Sequence, residues 1–187
     1  MDFLALLDRC VALEGEAGVT YAILARRFRD DPDLRRLWEG MAADEREHAR
    51  KLATWRTVLA TEDPAHRPTP IGFDAPLAAV EQLVADARTK AAACVTADDA
   101  FALALGLEAS ELDALYTQLL QSSPIARFPD IDTTIRSETA GHHDALVRAV
   151  KARSRDEGNL LRAALLESRE AHTRSASVRP RLRSRRA

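Results

Sequence analysis

The stretch Ala42-Ala43-Asp44-Glu45-Arg46-Glu47-His48-Ala49-Arg50-Lys51-Leu52 decides how the chain is read. It lies inside a long helical pattern whose apolar positions are Trp38, Met41, Leu52, Trp55 and Leu59. At about 100° per residue, side chains three and four apart share one helix face. Glu45 and His48 fall on that same stripe. A carboxylate and an imidazole therefore point where a core belongs. A buried charge without a partner is very costly. The face must meet something that offsets the charge, and a metal ion suits both groups.

The surrounding chain reads as a series of helices. Residues 2–29 form the first, with Leu7, Val11, Glu14, Gly18, Tyr21, Ala25 and Phe28 at helical spacing, so again a carboxylate interrupts an apolar face. Asp30-Asp31-Pro32-Asp33 breaks the pattern, and Pro and Asp suit the first turn of the next helix. That second helix carries the opening stretch and runs to about Thr61. Residues 62–76, with four prolines and a glycine, form a long loop. A shorter helix from about Leu77 to Ala93 has Leu77, Val80, Val84 and Ala87 on one face and no inward acid, as a crossover element should. Thr96 and the two aspartates after Ala97 cap a third long helix over about 97–122, whose stripe is Phe101, Leu105, Glu108, Glu111, Leu115 and Leu119. A fourth begins at about Arg127, or at the aspartates after Pro129, and runs to Arg153 with Ile131, Ile135, Glu138, His142, Leu146 and Ala149 on its stripe. From Asp156 to His172 a further pattern places Leu160, Leu161, Ala164 and Leu165 on its packed face, with Gly158-Asn159 favouring a break before it.

The two halves repeat. Glu14 precedes His48 by 34 residues, and Glu108 precedes His142 by 34. A shift of 94 residues lays Leu13-Glu14 on Leu107-Glu108 and His48-x-x-x-Leu52 on His142-x-x-x-Leu146. Two such hairpins packed together make an all-α four-helix bundle with acids and imidazoles converging at its centre. Oxygen and imidazole donors suit iron or manganese. Without cations, glutamates crowded together would force one another to protonate.

Glu14 with Tyr21 seven residues on, Asp44-Glu45-Arg46-Glu47-His48-Ala49, and Glu108-x-x-Glu111 with Tyr116 five further on together resemble the ferritin-like di-iron superfamily, and within it the rubrerythrins. The resemblance covers residues 2–153. It implies a ferritin-like four-helix bundle with one long crossover containing an extra helix, followed here by a C-terminal helical extension. It also implies two iron ions, with manganese as an alternative, and reduction of hydrogen peroxide or oxidation of ferrous iron by oxygen. Carried over residue by residue, Glu14 and Glu108 would bridge the ions. Glu45 and His48 hold one side, and His142 with Glu138 or Glu111 holds the other. Tyr21 and Tyr116 read as core aromatics, or else as neighbours of the metals that hydrogen-bond a ligand. The chain departs from the family pattern at Thr139, where the acid three residues before His142 should stand. Glu138, four before it, or Glu111 would have to compensate. Two alternatives stay open: iron sequestration without turnover, and a metal-free bundle that serves as a binding or scaffold protein.

Composition is consistent with this. A chain of 187 residues with 46% hydrophobic but only 5% aromatic residues and 7 glycines favours helices. Cys10 and Cys94 form no Cys-x-x-Cys pair, which excludes a zinc ribbon or a rubredoxin-type iron site; each reads as a small buried hydrophobe. Reduction would then need an external electron donor protein. The expected partners are that donor, a small-molecule oxidant and a second copy of the chain in a homodimer or larger homo-oligomer. An acidic start and no long apolar run suggest a soluble, cytoplasmic protein. Trp38 and Trp55 read as core residues. His143, about 100° around the helix from His142, reads as exposed. From Arg174 onward six arginines and no acid form a tail, disordered from Ser175, against a body with a formal charge of −8. The expected divisions are a bundle over 1–153, an extension over 154–173 and a tail over 174–187.

Overall fold

The computed structural model describes residues 2–63, 67, 69–70, 72–110 and 129–178, and the side chains of these except 129–140 and 173–178. Every regular element described is a helix: α1 (Phe3–Arg27), α2 (Pro32–Ala60), α3 (Asp74–Ala93), α4 (Ala97–Glu108), α5 (Pro129–Arg153) and α6 (Glu157–Val178). Residues 111–128, and with them Glu111, Tyr116 and the far end of the long third helix, lie outside the described residues.

The helix starts follow from local chemistry. Asp2 caps α1 through the backbone N–H of Ala5. Asp31 caps α2 through Asp33 and Leu34, with Pro32 in the first turn, where its missing N–H costs nothing. Thr96 and Asp99 form a reciprocal capping box at α4. Once started, each helix is held by its apolar face. α1 and α2 pack antiparallel as a hairpin along most of their length, α5 lies against α2, and α4 touches α5. These four form the bundle. The crossover from α2 to α4 carries α3, which packs along the outside of α1, where Arg9 meets Glu81 in a two-pronged pair and Arg88 meets Glu16.

The core is one continuous cluster, from Phe3, Leu6 and Leu7 through Trp38, Met41 and Leu52 to Phe101 and Leu105. Tyr21 stacks on Trp38, and Trp38 leans on Phe101. Both tryptophans are buried, as are Cys10 and Cys94, in agreement with the sequence reading. Burial pushes the Cys10 thiol up to about 12, so it behaves as a hydrophobe.

α6 departs from expectation in two ways. It turns back at residues 154–156 to lie on α4 and α5, and it buries Asn159, Ala163 and Leu166 rather than the expected leucines. Leu161 and Leu165 are 64% and 58% exposed. The cause is anchoring at its first turn: the Asn159 side chain donates to the Asp98 carbonyl and Ser154 to the Asp98 carboxylate. That rotates the small Ala163 into close contact. The helix also continues past Ser175 to Val178, contrary to the expected disorder, because extending an existing helix costs far less than starting one. Among the described residues no helix is long and apolar enough to cross a membrane.

Candidate metal centre

α1 and α2 deliver the first set of groups. Glu14 on α1 and Glu45 and His48 on α2 are each about 5% exposed. They meet because Gly18 lets α1 approach α2 closely: a Cβ there would lie 3.4 Å from the Glu45 Cβ and 3.5 Å from the Ala42 carbonyl oxygen. His48 Nδ1 lies 3.2 Å from a Glu45 oxygen and 4.0 Å from a Glu14 oxygen. The Glu14 and Glu45 carboxyls thus close on one imidazole. Two carboxylates crowded together need a proton or a cation between them. Burial pushes Glu45 up to about 8 against the opposing effect of Glu14, and the charges of Glu108 and Asp44 add to the rise.

α4 and α5 deliver the second set. Glu108, the last residue of α4, accepts from the Tyr21 hydroxyl. The same glutamate has one oxygen 3.0 Å from His142 Nε2 and 2.8 Å from His143 Nε2. Burial acts to raise Glu108, but the two imidazoles outweigh it and hold the carboxyl well below the usual range. Burial likewise lowers His142, and the attraction of Glu108 overcomes it, so the ring is raised. Tyr21 is driven well above an ordinary phenol by burial and by the neighbouring Glu108 charge.

The two sets join. Ligand atoms of Glu45, His48 and His142 all lie within 4.8 Å of one another, and so do those of Glu108, His142 and His143. The His48 and His142 rings are 5.5 Å apart. His142 Nδ1 is buried and has no hydrogen-bond partner; the Asp44 carboxylate is 4.0 Å away. In a neutral ring that donates to Glu108 from Nε2, Nδ1 is a bare lone pair. That orphaned nitrogen, the crowded Glu14 and Glu45 carboxyls, and the mixed oxygen and imidazole donors all fit transition-metal ions. Among the described residues a cleft of 390 Å³ opens beside His142 between α2 and α5, with Asp44, Gly40 and Gly141 at its walls.

Of the seven residues read as ligands, the structure gathers Glu14, Glu45, His48, Glu108 and His142. Glu138 lies in α5 with its side chain outside the described residues, and Glu111 lies outside them altogether. Tyr21 is the neighbour that hydrogen-bonds one of these glutamates. His143 is a correction: it is buried, not exposed, with its Nδ1 2.9 Å from a Glu170 oxygen on α6. The direction 100° around α5 from His142 faces α6, not solvent. Glu170 was not visible as a site residue, because the expected face of α6 was the wrong one. Asp44 and Glu47, beside the motif but off its buried stripe, are half-exposed, and Glu47 pairs with Arg50.

An all-α bundle with a long crossover, whose core holds glutamates and histidines from all four helices, is a ferritin-like domain with the geometry of a di-iron site. More specifically, residues 5–70 match the rubrerythrin family model, a stretch that contains Glu14, Glu45 and His48. The first hairpin is thus similar to the rubrerythrins. No curated protein and no solved structure matches the chain.

Proposed function

We propose that the protein is a non-haem di-iron oxidoreductase of rubrerythrin type, acting on hydrogen peroxide or on ferrous iron and oxygen. The observation that carries this reading is the convergence of buried carboxylates and imidazoles from α1, α2, α4 and α5 around the orphaned His142 Nδ1. Two iron ions, or manganese, supply when bound the two electrons that cleavage of an O–O bond to water requires.

The chain's own groups do the rest. Glu14, Glu45 and His48 would hold one metal position and His142 with Glu108 the other, and the resemblance gives Glu14 and Glu108 the bridging roles. The Tyr21 hydroxyl fixes the Glu108 carboxylate, and Trp38, stacked on Tyr21, with Phe101 leaning on it keeps water from that side. A small oxidant reaches His142 through the cleft between α2 and α5. Protons for the departing water come from solvent at the same mouth, past Asp44. Cys10 and Cys94 are far apart in the sequence and form no Cys-x-x-Cys pair, so in this reading electrons come to the bundle from outside it.

The test is metal analysis of protein purified without oxygen, beside the Glu45→Ala, His48→Ala double variant. About two ions per chain, lost in the variant, together with reductant-dependent peroxide consumption, supports the proposal. Substoichiometric metal in both samples sinks it. A second reading, a metal-free bundle, is favoured by one observation: Tyr21, His142 and His143 already satisfy Glu108 without a cation. It predicts the same melting temperature with and without chelator.

A further inference from the structure

We propose that His143 is a ligand of the second metal position, in place of the acid that Thr139 replaces, and that Glu170 of the α6 extension orients it. This rests on the di-metal reading above.

The two groups of ligand atoms share His142. Among the described residues the second position has Glu108 and His142, and His143 completes it as a third ligand. His143 is in place to do so. It is 1% exposed, and its Nε2 and that of His142 approach the same Glu108 oxygen at 2.8 and 3.0 Å. Metal–donor bonds of about 2.0–2.2 Å put donors on adjacent corners about 3 Å apart. Each nitrogen is thus already spaced from that oxygen as a donor to the same ion, and the three residues' ligand atoms lie within 4.8 Å of one another.

The other nitrogen supplies the second argument. His143 Nδ1 is 2.9 Å from Glu170, whose side chain is 15% exposed. A metal-binding imidazole commonly gives its remote N–H to a carboxylate, which sets the tautomer and the ring orientation. With Nδ1–H donated to Glu170, the Nε2 lone pair faces the Glu108 side. The carboxylate comes from outside the four bundle helices, so the extension takes part in the site. Asn159 and Ala163 set the rotation of α6 that brings Glu170 inward. A nitrogen ligand in place of an oxygen one also leaves the second position less negative than the first.

A purely structural His143, bridging two carboxylates, predicts something different: its loss lowers the stability of metal-free protein and leaves metal binding alone. The experiment titrates metal-free full-length protein with ferrous iron without oxygen. It reads ions bound per chain, affinity of the second ion and the metal-induced rise in melting temperature. The samples are the parent, His143→Ala, Glu170→Gln, and Lys151→Ala, which breaks the Lys151–Glu167 pair between α5 and α6 away from the site. The proposal expects two ions in the parent and in Lys151→Ala. It expects one ion in His143→Ala, and in Glu170→Gln a second ion bound about 10–100-fold more weakly. Two ions with parental affinity in both site variants overturns the proposal and leaves the di-metal reading standing. No ion in the parent overturns both. If His143→Ala loses its helical circular dichroism, Glu170→Gln, which keeps size and shape, decides.

Discussion

Tyr21 shows how the centre is tied together one residue at a time. Its ring stacks on Trp38, and its hydroxyl donates to Glu108 across the bundle, from the first hairpin to the second. Hydrogen bonds to charged groups contribute about 1.5–3 kcal/mol, and more of this is felt when the acceptor is buried. Tyr21→Phe keeps the ring and removes only that bond. It should therefore lower the stability of metal-free protein by about that amount, read as a lower denaturant midpoint with an unchanged slope. An unchanged midpoint would mean that the hydroxyl and Glu108 do not interact in solution. At the same scale, the Glu14 and Glu45 carboxyls converge on the His48 imidazole where repulsion would be expected, which is a stable arrangement only with a proton or a cation present.

The elements meet at a few controlled contacts. At the α1–α2 crossing, a methyl added at Gly18 would sit at ordinary van der Waals distance from the Glu45 Cβ and the Ala42 carbonyl, so Gly18→Ala fits. Alanine is also a better helix former than glycine by about 1 kcal/mol. Gly18→Val is different: its extra branches wedge the helices apart at Glu45. We expect Gly18→Ala to match or exceed the parent melting temperature, and Gly18→Val to cost about 1–3 kcal/mol and to retain less metal on dialysis. Equal melting temperatures for the two variants would show that the helices are not closely apposed there. Asp31 joins two elements. It caps α2 and pairs with Arg153 at the end of α5. The hydrogen bonds from Arg153 hold its carboxyl down at about 2, against an ordinary value of 3.8. The folded state therefore binds this proton less readily than the unfolded chain. The stabilisation is complete above 3.8 and is lost as pH falls through that value toward 2. Asp31→Ala should cost about 0.5–2 kcal/mol at neutral pH, mostly as a lost cap. Urea melts should show the gap between parent and variant closing in strong acid; a gap that persists below about pH 2 would contradict the assignment.

For the whole molecule, the centre is both a functional site and a structural weak point. Carboxylates buried from α1, α2 and α4 oppose folding unless they are compensated. A cation that binds only the folded bundle stabilises it by mass action, by about 2.7 kcal/mol at a hundred times its dissociation constant. Ferrous or manganous ion should therefore raise the melting temperature, and a chelator should reverse the rise. A rise equally large in the Glu45→Ala, His48→Ala variant would place the binding elsewhere. α6 extends the same logic beyond the four-helix bundle. Through Glu170 it reaches His143 beside Glu108 and His142, and through Asn159 and Ser154 it grips Asp98 at the start of α4. The extension thus closes over the α4–α5 side of the centre.

The helices, their order and their inward acids were legible in the chain because a helix is a local structure. Spacings of three and four residues alone put Trp38, Glu45, His48 and Trp55 on one face, and the pairing of Glu14 with His48 at the offset of Glu108 with His142 announced two hairpins. The ferritin-like class followed from that pattern, and the fold agrees with it. What periodicity could not decide was the rotation of α6. Its sequence offers two faces, one with Leu161 and Leu165 and the other with Asn159, Ala163, Leu166 and Glu170. Only a long-range bond from Asn159 to Asp98 selects the second. The fate of His143 depended on that choice. Its partners, Glu108 and Glu170, are 35 and 27 residues away, and no helical repeat links residues so far apart. Local geometry determined which side chains share a helix face, and tertiary packing alone determined which face of α6 turns inward, whether His143 is buried, and which side chains meet.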